Sequence, residues 1–290
     1  MMKGISVVCV VAVLLMASVG SADIRFHGSG SWDMLEGVGQ AEGWQSVAVP
    51  GAGDIIQVNW GNNTVTLDYA APAITMFKIG VNEPGTVHIQ NGGTLSAHRG
   101  KVGNNGSVTG TVNVDAGGTF TTESWMMVGG SSSVEGILNV SGTVNIGGHL
   151  WTSTGAGSSS TIDINDGGVI NVSGIVGLGS SDFNAGGGMS TLNINDGGLL
   201  ALTNIHGVTG TSAMNGSTFQ LYDTGIITLP GDFEGVIANY ATAGLIYGDG
   251  IAGNVATDLT TNPGFTTVFV PEPATMLLLG LGGLLIRKRR

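Results

Sequence analysis

The chain has 290 residues, of which 52 are glycine and 10% are charged, and its formal net charge is −11. The glycine has no collagen period and is interleaved with valine, isoleucine and leucine, which excludes a triple helix and disorder caused by low hydrophobicity. Many short strands separated by glycine turns fit this composition, in one large all-β domain or two small ones.

Residues 1–22 are predicted to be a helical signal peptide that is cleaved off. Lys3 supplies a positive charge, an apolar run extends from Ile5 to Met16, and the small residues after it suit cleavage near Ala22. The run is short for a membrane span, and the alternatives are a buried strand or an uncleaved anchor. Because Cys9 lies inside the run, the mature chain has no thiol for a disulfide or for catalysis. We expect export by the general secretion machinery and cleavage by signal peptidase.

Residues 23–84 are predicted to form an N-terminal cap and a first rung. Strand-length apolar segments begin at Ile55, Thr64 and Ile74. This part of the chain also holds three tryptophans that could cover the end of a repetitive fold, or alternatively stack on sugar rings. They are Trp32, Trp44 and Trp60.

Residues 85–205 contain five copies of a unit of about 25 residues. The copies begin GTVHIQNGG, GTVNVDAGG, GILNVSG, STIDINDGG and STLNINDGG. Apolar and polar residues alternate in each copy, which predicts a strand with one buried face, and paired glycines supply the positive φ of a tight turn. A second and a third strand follow, and the third ends in pairs such as Val102-Gly103.

A unit of three short strands with glycine corners predicts a right-handed parallel β-helix of about 5–7 rungs, stacked about 4.8 Å apart. An antiparallel sandwich is the alternative.

Residues 206–268 lose the repeat and are predicted to be a C-terminal cap and linker. The polar residues expected to face outward from the first strand of each rung are His88, Asn113, Asn139, Asp163 and Asn193.

Residues 269–290 combine three features in order at the chain end. Pro271-Glu272-Pro273 precedes an apolar run that ends at Ile286 and is long enough, counted from Val268, to approach a transmembrane helix of about 20 residues. The positive-inside rule keeps the final cations in the cytoplasm, so that they act as a membrane stop signal. These cations are Arg287, Lys288, Arg289 and Arg290.

This order resembles the PEP-CTERM sorting signal of Gram-negative bacteria. The resemblance implies that an exosortase, an integral-membrane cysteine protease, recognises Pro271, Glu272 and Pro273 and removes the tail after transient anchoring in the inner membrane. It also implies a protein of the cell surface or extracellular matrix, often associated with exopolysaccharide or biofilm. The glycine-rich units in turn resemble the β-helical repeats of autotransporter passengers.

Removal of both ends would change the charge sharply. Four cations remain against 19 acidic residues, a net charge of −15, which suits divalent cations or a hydrated matrix. Nucleic acid is excluded as a partner because phosphate binding needs clustered lysine and arginine. The remaining cations are Arg25, Lys78, Arg99 and Lys101.

No motif predicts an enzyme or a cofactor. The histidines, His27, His88, His98, His149 and His206, have no metal-ligand spacing. The GDGIAG sequence at 248–253 lacks the helix and βαβ unit of a dinucleotide site. The prediction is therefore a structural protein of the surface or matrix.

Two other functions stay open. A carbohydrate-binding adhesin would use Trp125 or Trp151 as an exposed platform, and a β-helical polysaccharide lyase or hydrolase would use Asp163 or the pair Arg99 and Lys101. A set of acids in the last repeats is a weak calcium candidate, with local turn hydrogen bonds as the simpler role. The set is Asp163, Asp166 and Asp196.

Overall fold

The computed structural model describes residues 23–27, 29–33, 43–44, 50–58, 62–179, 187–205 and 216–272. It is an all-β parallel solenoid of about six turns, which confirms the predicted fold class. Within the described ranges no helix is long and apolar enough to cross a membrane. The predicted signal peptide and residues 273–290 of the sorting segment lie outside those ranges, and both predicted helices there stay predictions, as does the right-handed sense of the coil.

The first half of the solenoid is built from twelve strands: β1 (Asp23–His27), β2 (Gly30–Ser31), β3 (Gly43–Trp44), β4 (Ile55–Val58), β5 (Asn63–Leu67), β6 (Ile74–Val81), β7 (Gly85–Ile89), β8 (Thr94–Asn105), β9 (Thr109–Val114), β10 (Thr119–Thr122), β11 (Met126–Val128) and β12 (Glu135–Val140).

The second half adds β13 (Thr143–Ile146), β14 (Leu150–Thr152), β15 (Ser159–Ile164), β16 (Val169–Gly177), β17 (Met189–Ile194), β18 (Leu199–Asn204), β19 (Thr218–Leu221), β20 (Ile226–Pro230), helix α1 (Glu234–Thr242), β21 (Ile246–Gly248), β22 (Ile251–Ala252), β23 (Ala256–Asp258) and β24 (Phe265–Phe269).

The strands form two sheets that run along the solenoid. The ten-stranded sheet has the order β2-β5-β7-β9-β12-β15-β17-β19-β21-β22. The fourteen-stranded sheet has the order β3-β1-β4-β6-β8-β10-β13-β16-β18-β20-β24-β23, and β11 and β14 join it between β8 and β16. Strands of successive turns pair in parallel, as β9 does with β12, so the antiparallel sandwich is wrong for the repeats.

The long strand β8 divides the fourteen-stranded sheet into two faces. Its first residues pair with β10, and its residues from Gly100 onward pair with β11. We call the surface formed by β1, β4, β6, the second part of β8, β11 and β14 the third face, since it corresponds to the third strand of the repeat. The ten-stranded sheet and the β10-β13 region are the other two faces of each turn.

The core is a set of continuous apolar columns, because residues one repeat apart are register partners. Val87 pairs with Val112, which pairs with Leu138, and all three are fully buried. Burying one such side chain favours folding by about 1.5–3 kcal/mol. The described core forms one cluster from Phe26 to Val270. The predicted inward residues are therefore confirmed, and every residue of the described core lies within residues 23–272.

One corner of each turn, between the third strand and the next rung, depends on glycine in the first half. Gly103 has a φ of +69° and Gly129 a φ of +75°, a left-handed conformation that glycine adopts without strain. A Cβ on Gly110 or Gly136 would lie closer than 3.0 Å to the backbone of those corners. Glycine is therefore required at this corner for two reasons, backbone conformation and close approach.

Serine takes over the same column in the second half. Gly136 of β12 pairs with Ser160, which pairs with Ser190, and both serines are buried. Ser160 Oγ donates to Ser190 Oγ at 2.8 Å, Ser153 Oγ donates to Ser160 Oγ at 3.0 Å, and Thr152 Oγ1 donates to Ser190 Oγ at 2.7 Å. A hydrogen-bonded hydroxyl cluster thus fills the volume that the first half leaves without side chains.

Antiparallel strands close both ends of the solenoid. At the start, β3 pairs antiparallel with β1, and buried Trp32 stacks on Phe77 with ring centroids 6.4 Å apart. Of the three tryptophans predicted to cover this end, Trp32 is buried, whereas the Trp44 side chain and Trp60 lie outside the described residues, so the capping role stays a prediction. At the other end β24 pairs antiparallel with β20 and β23, and Tyr240 of α1 packs 6.2 Å from the Phe219 ring.

Candidate functional site

The cations predicted to remain after processing all lie on the third face. The cross-strand register places Arg25, Gln57, Lys78 and Lys101 in one column, in that order. Arg99 lies two residues before Lys101 on the same strand. The first turns of the solenoid therefore gather every lysine and arginine of residues 23–270 on one surface.

Strand alternation explains why these side chains face outward. Phe26, Ile79 and Val102 each follow a cation in the chain and are fully buried, so the preceding residue points to the opposite side of its strand. Arg25 and Arg99 are exposed, and Lys78 and Lys101 are half-buried.

Trp125 is the aromatic platform of this surface. The ring lies immediately before β11, half-buried, with Arg99 Cζ 5.4 Å and Lys101 Nζ 5.8 Å from its centroid. Both distances are within the range of cation–π attraction, so the ring positions two of the four cations. We call the surface formed by Arg25, Lys78, Arg99, Lys101 and Trp125 the cationic strip.

The surroundings of Lys101 disfavour its charged form. Burial lowers the pKa of the Lys101 ammonium, and the neighbouring Lys78 lowers that pKa further. No described carboxylate lies within ion-pair distance of Arg99 or Lys101. Glu123, two residues before Trp125, instead meets the His98 ring, with Oε2 3.3 Å from Nδ1.

Trp151 does not belong to the exposed part of this surface. It is the register partner of Met127 in the column that continues from Lys101, but only 5% of it is exposed. Its ring packs against the His149 ring with centroids 5.0 Å apart. The prediction that Trp151 is exposed is therefore wrong, since the neighbouring ring covers it, and Trp125 is the tryptophan that remains accessible in part.

The outward polar residues of the ten-stranded sheet bond to one another. Asn113 Nδ2 lies 2.9 Å from His88 Nε2, and Asn139 Nδ2 donates to Asn113 Oδ1 at 2.7 Å. Further along, Asn193 Nδ2 donates to Asp163 Oδ1 at 2.6 Å. The predicted outward row, which we call the amide row, is confirmed. Its hydrogen bonds run between rungs, which stiffens the solenoid.

The structure does not gather the calcium candidates into a metal site. Asp163 lies within strand β15 and accepts from Asn193, whereas Asp166 and Asp196 lie in the turns that follow β15 and β17. Asp196 accepts a hydrogen bond from Thr224 Oγ1. In the described ranges no three histidine, cysteine, aspartate or glutamate side chains lie close enough together to hold a metal ion.

The histidines with described side chains lie in three separate places. His88 belongs to the amide row, His98 contacts Glu123, and His149 accepts the Ile175 backbone N–H on Nδ1 at 3.0 Å. The side chain of His27 and the whole of His206 are outside the described set.

A polar cleft of about 350 Å³ lies at another corner, where Thr109 Oγ1 donates to Glu135 Oε2 at 2.8 Å.

The start of the predicted sorting motif follows directly on the last strand. β24 ends at Phe269, Val270 is 8% exposed, Pro271 is half-buried and Glu272 is exposed. Pro273 and the four terminal cations lie outside the described residues. Only Val270 separates the folded cap from Pro271.

Residue spacing carried a signal for the strip that sequence reasoning missed. Lys78, Lys101 and Met127 are each separated by about one repeat, as are Arg99 and Trp125. Such spacing predicts neighbouring positions on adjacent rungs. Arg25 had no such signal, because the chain between β1 and β4 is longer than a repeat.

Comparison with known proteins identifies the tail. A family model described as the PEP-CTERM protein-sorting motif matches residues 269–290. The motif indicates an exported, surface-sorted protein that is processed by exosortase. No curated protein and no solved structure matches the chain.

Proposed function

We propose that the chain is a structural protein of the cell surface or extracellular matrix of a Gram-negative bacterium. Export delivers the solenoid across the inner membrane, the tail anchors it there transiently, and exosortase removes the tail. The observation that carries the proposal is the direct junction of the solenoid with a sorting motif, whose match begins at the last residue of β24 and whose Pro271 lies two residues after that strand.

The architecture supports a load-bearing role. Parallel strand pairing between successive repeats, together with the hydrogen bonds of the amide row, makes neighbouring turns depend on one another. An acidic, hydrated surface keeps such a molecule soluble among other polymers. The likeness of the repeats to autotransporter passengers stays a prediction, as do the association with biofilm and exopolysaccharide and the expectation that the protein is not an enzyme.

The adhesin is the second candidate, because the cationic strip offers a surface for a saccharide ligand. The lyase or hydrolase has less support. Asp163 lies on the ten-stranded sheet, whereas Arg99 and Lys101 lie on the third face, so these groups do not converge on one bond. Lyase chemistry needs a base and a cationic group at the same sugar.

Sorting is tested by replacing Pro271, Glu272 and Pro273 with alanine in the full chain, in a host that has exosortase. We expect the natural chain outside the inner membrane as a shortened species and the variant at full length in the inner membrane. Membrane fractionation and intact-mass measurement of each species give the result. A matched control replaces Thr260, Thr261 and Asn262 with alanine and should be processed normally, because these three residues precede β24. Equal shortening of the natural chain and the motif variant would contradict the proposal.

A further inference from the structure

We propose that the cationic strip binds a linear acidic polysaccharide that lies along the solenoid axis, with successive uronate residues on successive rungs. The inference rests on the proposed function, because it names the class of partner that the exported chain would hold in the matrix. The argument combines the charge distribution, the spacing of the strip and the state of its cations.

Charge confines an anionic partner to the strip. Residues 102–270 contain no lysine or arginine and 12 acidic residues, whereas residues 23–101 hold all four cations and seven acidic residues. A polyanion is therefore repelled along most of the solenoid. Fields from exposed charges fall off over about 8 Å at physiological ionic strength, so the strip acts locally and is not cancelled by the distant acids.

Spacing favours a polysaccharide over an acidic peptide. Lys78 and Lys101 lie on adjacent rungs, about 4.8 Å apart, and Arg25 lies two rungs before Lys78, so the column spans about 14 Å. A hexuronate residue has nearly the length of one rung. Side chains on the same face of an extended peptide repeat every 6.8 Å or so, which does not match the rungs.

The strip is preorganised for carboxylates. Trp125 contacts both Arg99 and Lys101, which reduces the side-chain freedom that binding would otherwise remove. The Arg99 guanidinium is exposed and can bind a carboxylate in the two-pronged geometry that arginine favours. A carboxylate between Lys78 and Lys101 would also oppose the lowering of the Lys101 pKa.

The test measures binding of polygalacturonate to residues 23–272 by calorimetry at physiological ionic strength, where exposed charges are screened over about 8 Å. We expect saturable binding that weakens with added salt, and little binding of neutral dextran. The double variant Lys78→Met, Lys101→Met keeps the apolar stems and should bind at least about tenfold more weakly, since two charge-assisted contacts are lost. Circular dichroism confirms that the variant is folded.

A matched control restores the net charge elsewhere. Thr161 and Thr191 are register partners on adjacent rungs of the ten-stranded sheet, so changing both to lysine in the double variant stacks the same two charges on another face. We expect this quadruple variant to bind as weakly as the double variant. Recovery of binding would show that overall charge is sufficient and would overturn the strip as the site.

Three further outcomes would overturn the proposal. They are no binding of polygalacturonate by the natural sequence, unchanged binding by the double variant, and binding of polyglutamate as tight as that of polygalacturonate. Failure of the sorting test would show itself in the location and mass of the chain, whereas these measurements use purified protein. The two proposals can therefore fail separately.

Discussion

The two halves of the solenoid follow the same backbone path with different side chains at one corner. The first half leaves the corner empty by placing glycine at positions such as Gly110 and Gly136. The second half fills it with the hydroxyls of Ser160 and Ser190, which bond to each other and to Thr152. A repeat fold therefore tolerates either close backbone contact or a closed polar cluster at this corner.

Charge separates the halves as well. The first half carries all four cations of residues 23–270, and the second carries none. The amide row is also interrupted between the halves, since the bonded set His88, Asn113 and Asn139 is distinct from the bonded pair Asp163 and Asn193. Each difference gives an experiment that weakens or strengthens one half selectively.

The largest change in the free energy of unfolding should come from Gly110→Ala in the first half. The new Cβ would lie closer than 3.0 Å to backbone atoms of Gly103 and Ile79, which stacked strands hold in place. We expect a loss of about 3 kcal/mol or more in the free energy of unfolding, measured by urea titration.

Gly235→Ala is the matched control for that substitution. Gly235 lies in helix α1 with nothing within 4 Å of an added Cβ, and alanine favours a helix by roughly 1 kcal/mol. It should leave the protein equally or more stable. Similar destabilisation by both substitutions would disprove the steric explanation of the glycine corner.

Ser190→Ala should be the next largest change and should act in the second half. It removes the hydroxyl that accepts from Thr152 and Ser160 and leaves those donors buried without that partner. The expected loss is about 1–3 kcal/mol in the free energy of unfolding. Ser173→Ala, at an exposed serine, should change stability by less than about 0.5 kcal/mol. If both cost the same, the hydroxyl cluster does not stabilise the corner.

Asp163→Asn should join the two bonded sets of the amide row. The Asn139 amide donates toward Asn113, so its oxygen faces the Asp163 carboxylate, and two acceptors cannot bond. An asparagine amide can donate to Asn139 while its oxygen still accepts from Asn193. We expect a gain of about 0.5–1 kcal/mol in urea unfolding. A loss would mean that the carboxylate has a role beyond the row.

Lys101→Met should have the smallest effect on stability and the opposite sign from most substitutions. A lysine whose pKa is lowered on folding destabilises the native state at every pH at which it is protonated, so stability should rise as the pH approaches the pKa of the unfolded chain. Removing the charge removes this cost. We expect a gain of roughly 0.2–1 kcal/mol, the size of one cross-strand charge pair.

Salt provides the control for that prediction. The gain in melting temperature of the Lys101→Met variant should shrink as sodium chloride is raised from about 10 mM to about 1 M, because the screening length falls from about 30 Å to about 3 Å. A gain that does not depend on salt would point to relief of the burial cost of the charge, or to better packing by methionine, and not to relief of repulsion from Lys78.

The regular part of the fold could be predicted from residues alone. Alternation and glycine pairs identified the inward columns, such as Val87 with Val112, because a repeat fixes both the face and the register of its strands. The irregular turns could not be placed in this way. Arg25 and Gln57 are separated by more than one repeat, and only strand pairing shows that they are neighbours.

By itself, the amino-acid order determined a parallel solenoid, its outward amide row and a tail for sorting, since each depends on local pattern or on a contiguous motif. The tertiary structure decided which cations share a surface, that Trp151 is covered while Trp125 is accessible in part, and how hydroxyls replace glycine at a corner. These features depend on contacts between side chains of different turns. Such contacts follow from register and packing at each rung, which the spacing of residues along the chain describes only where the repeat is regular.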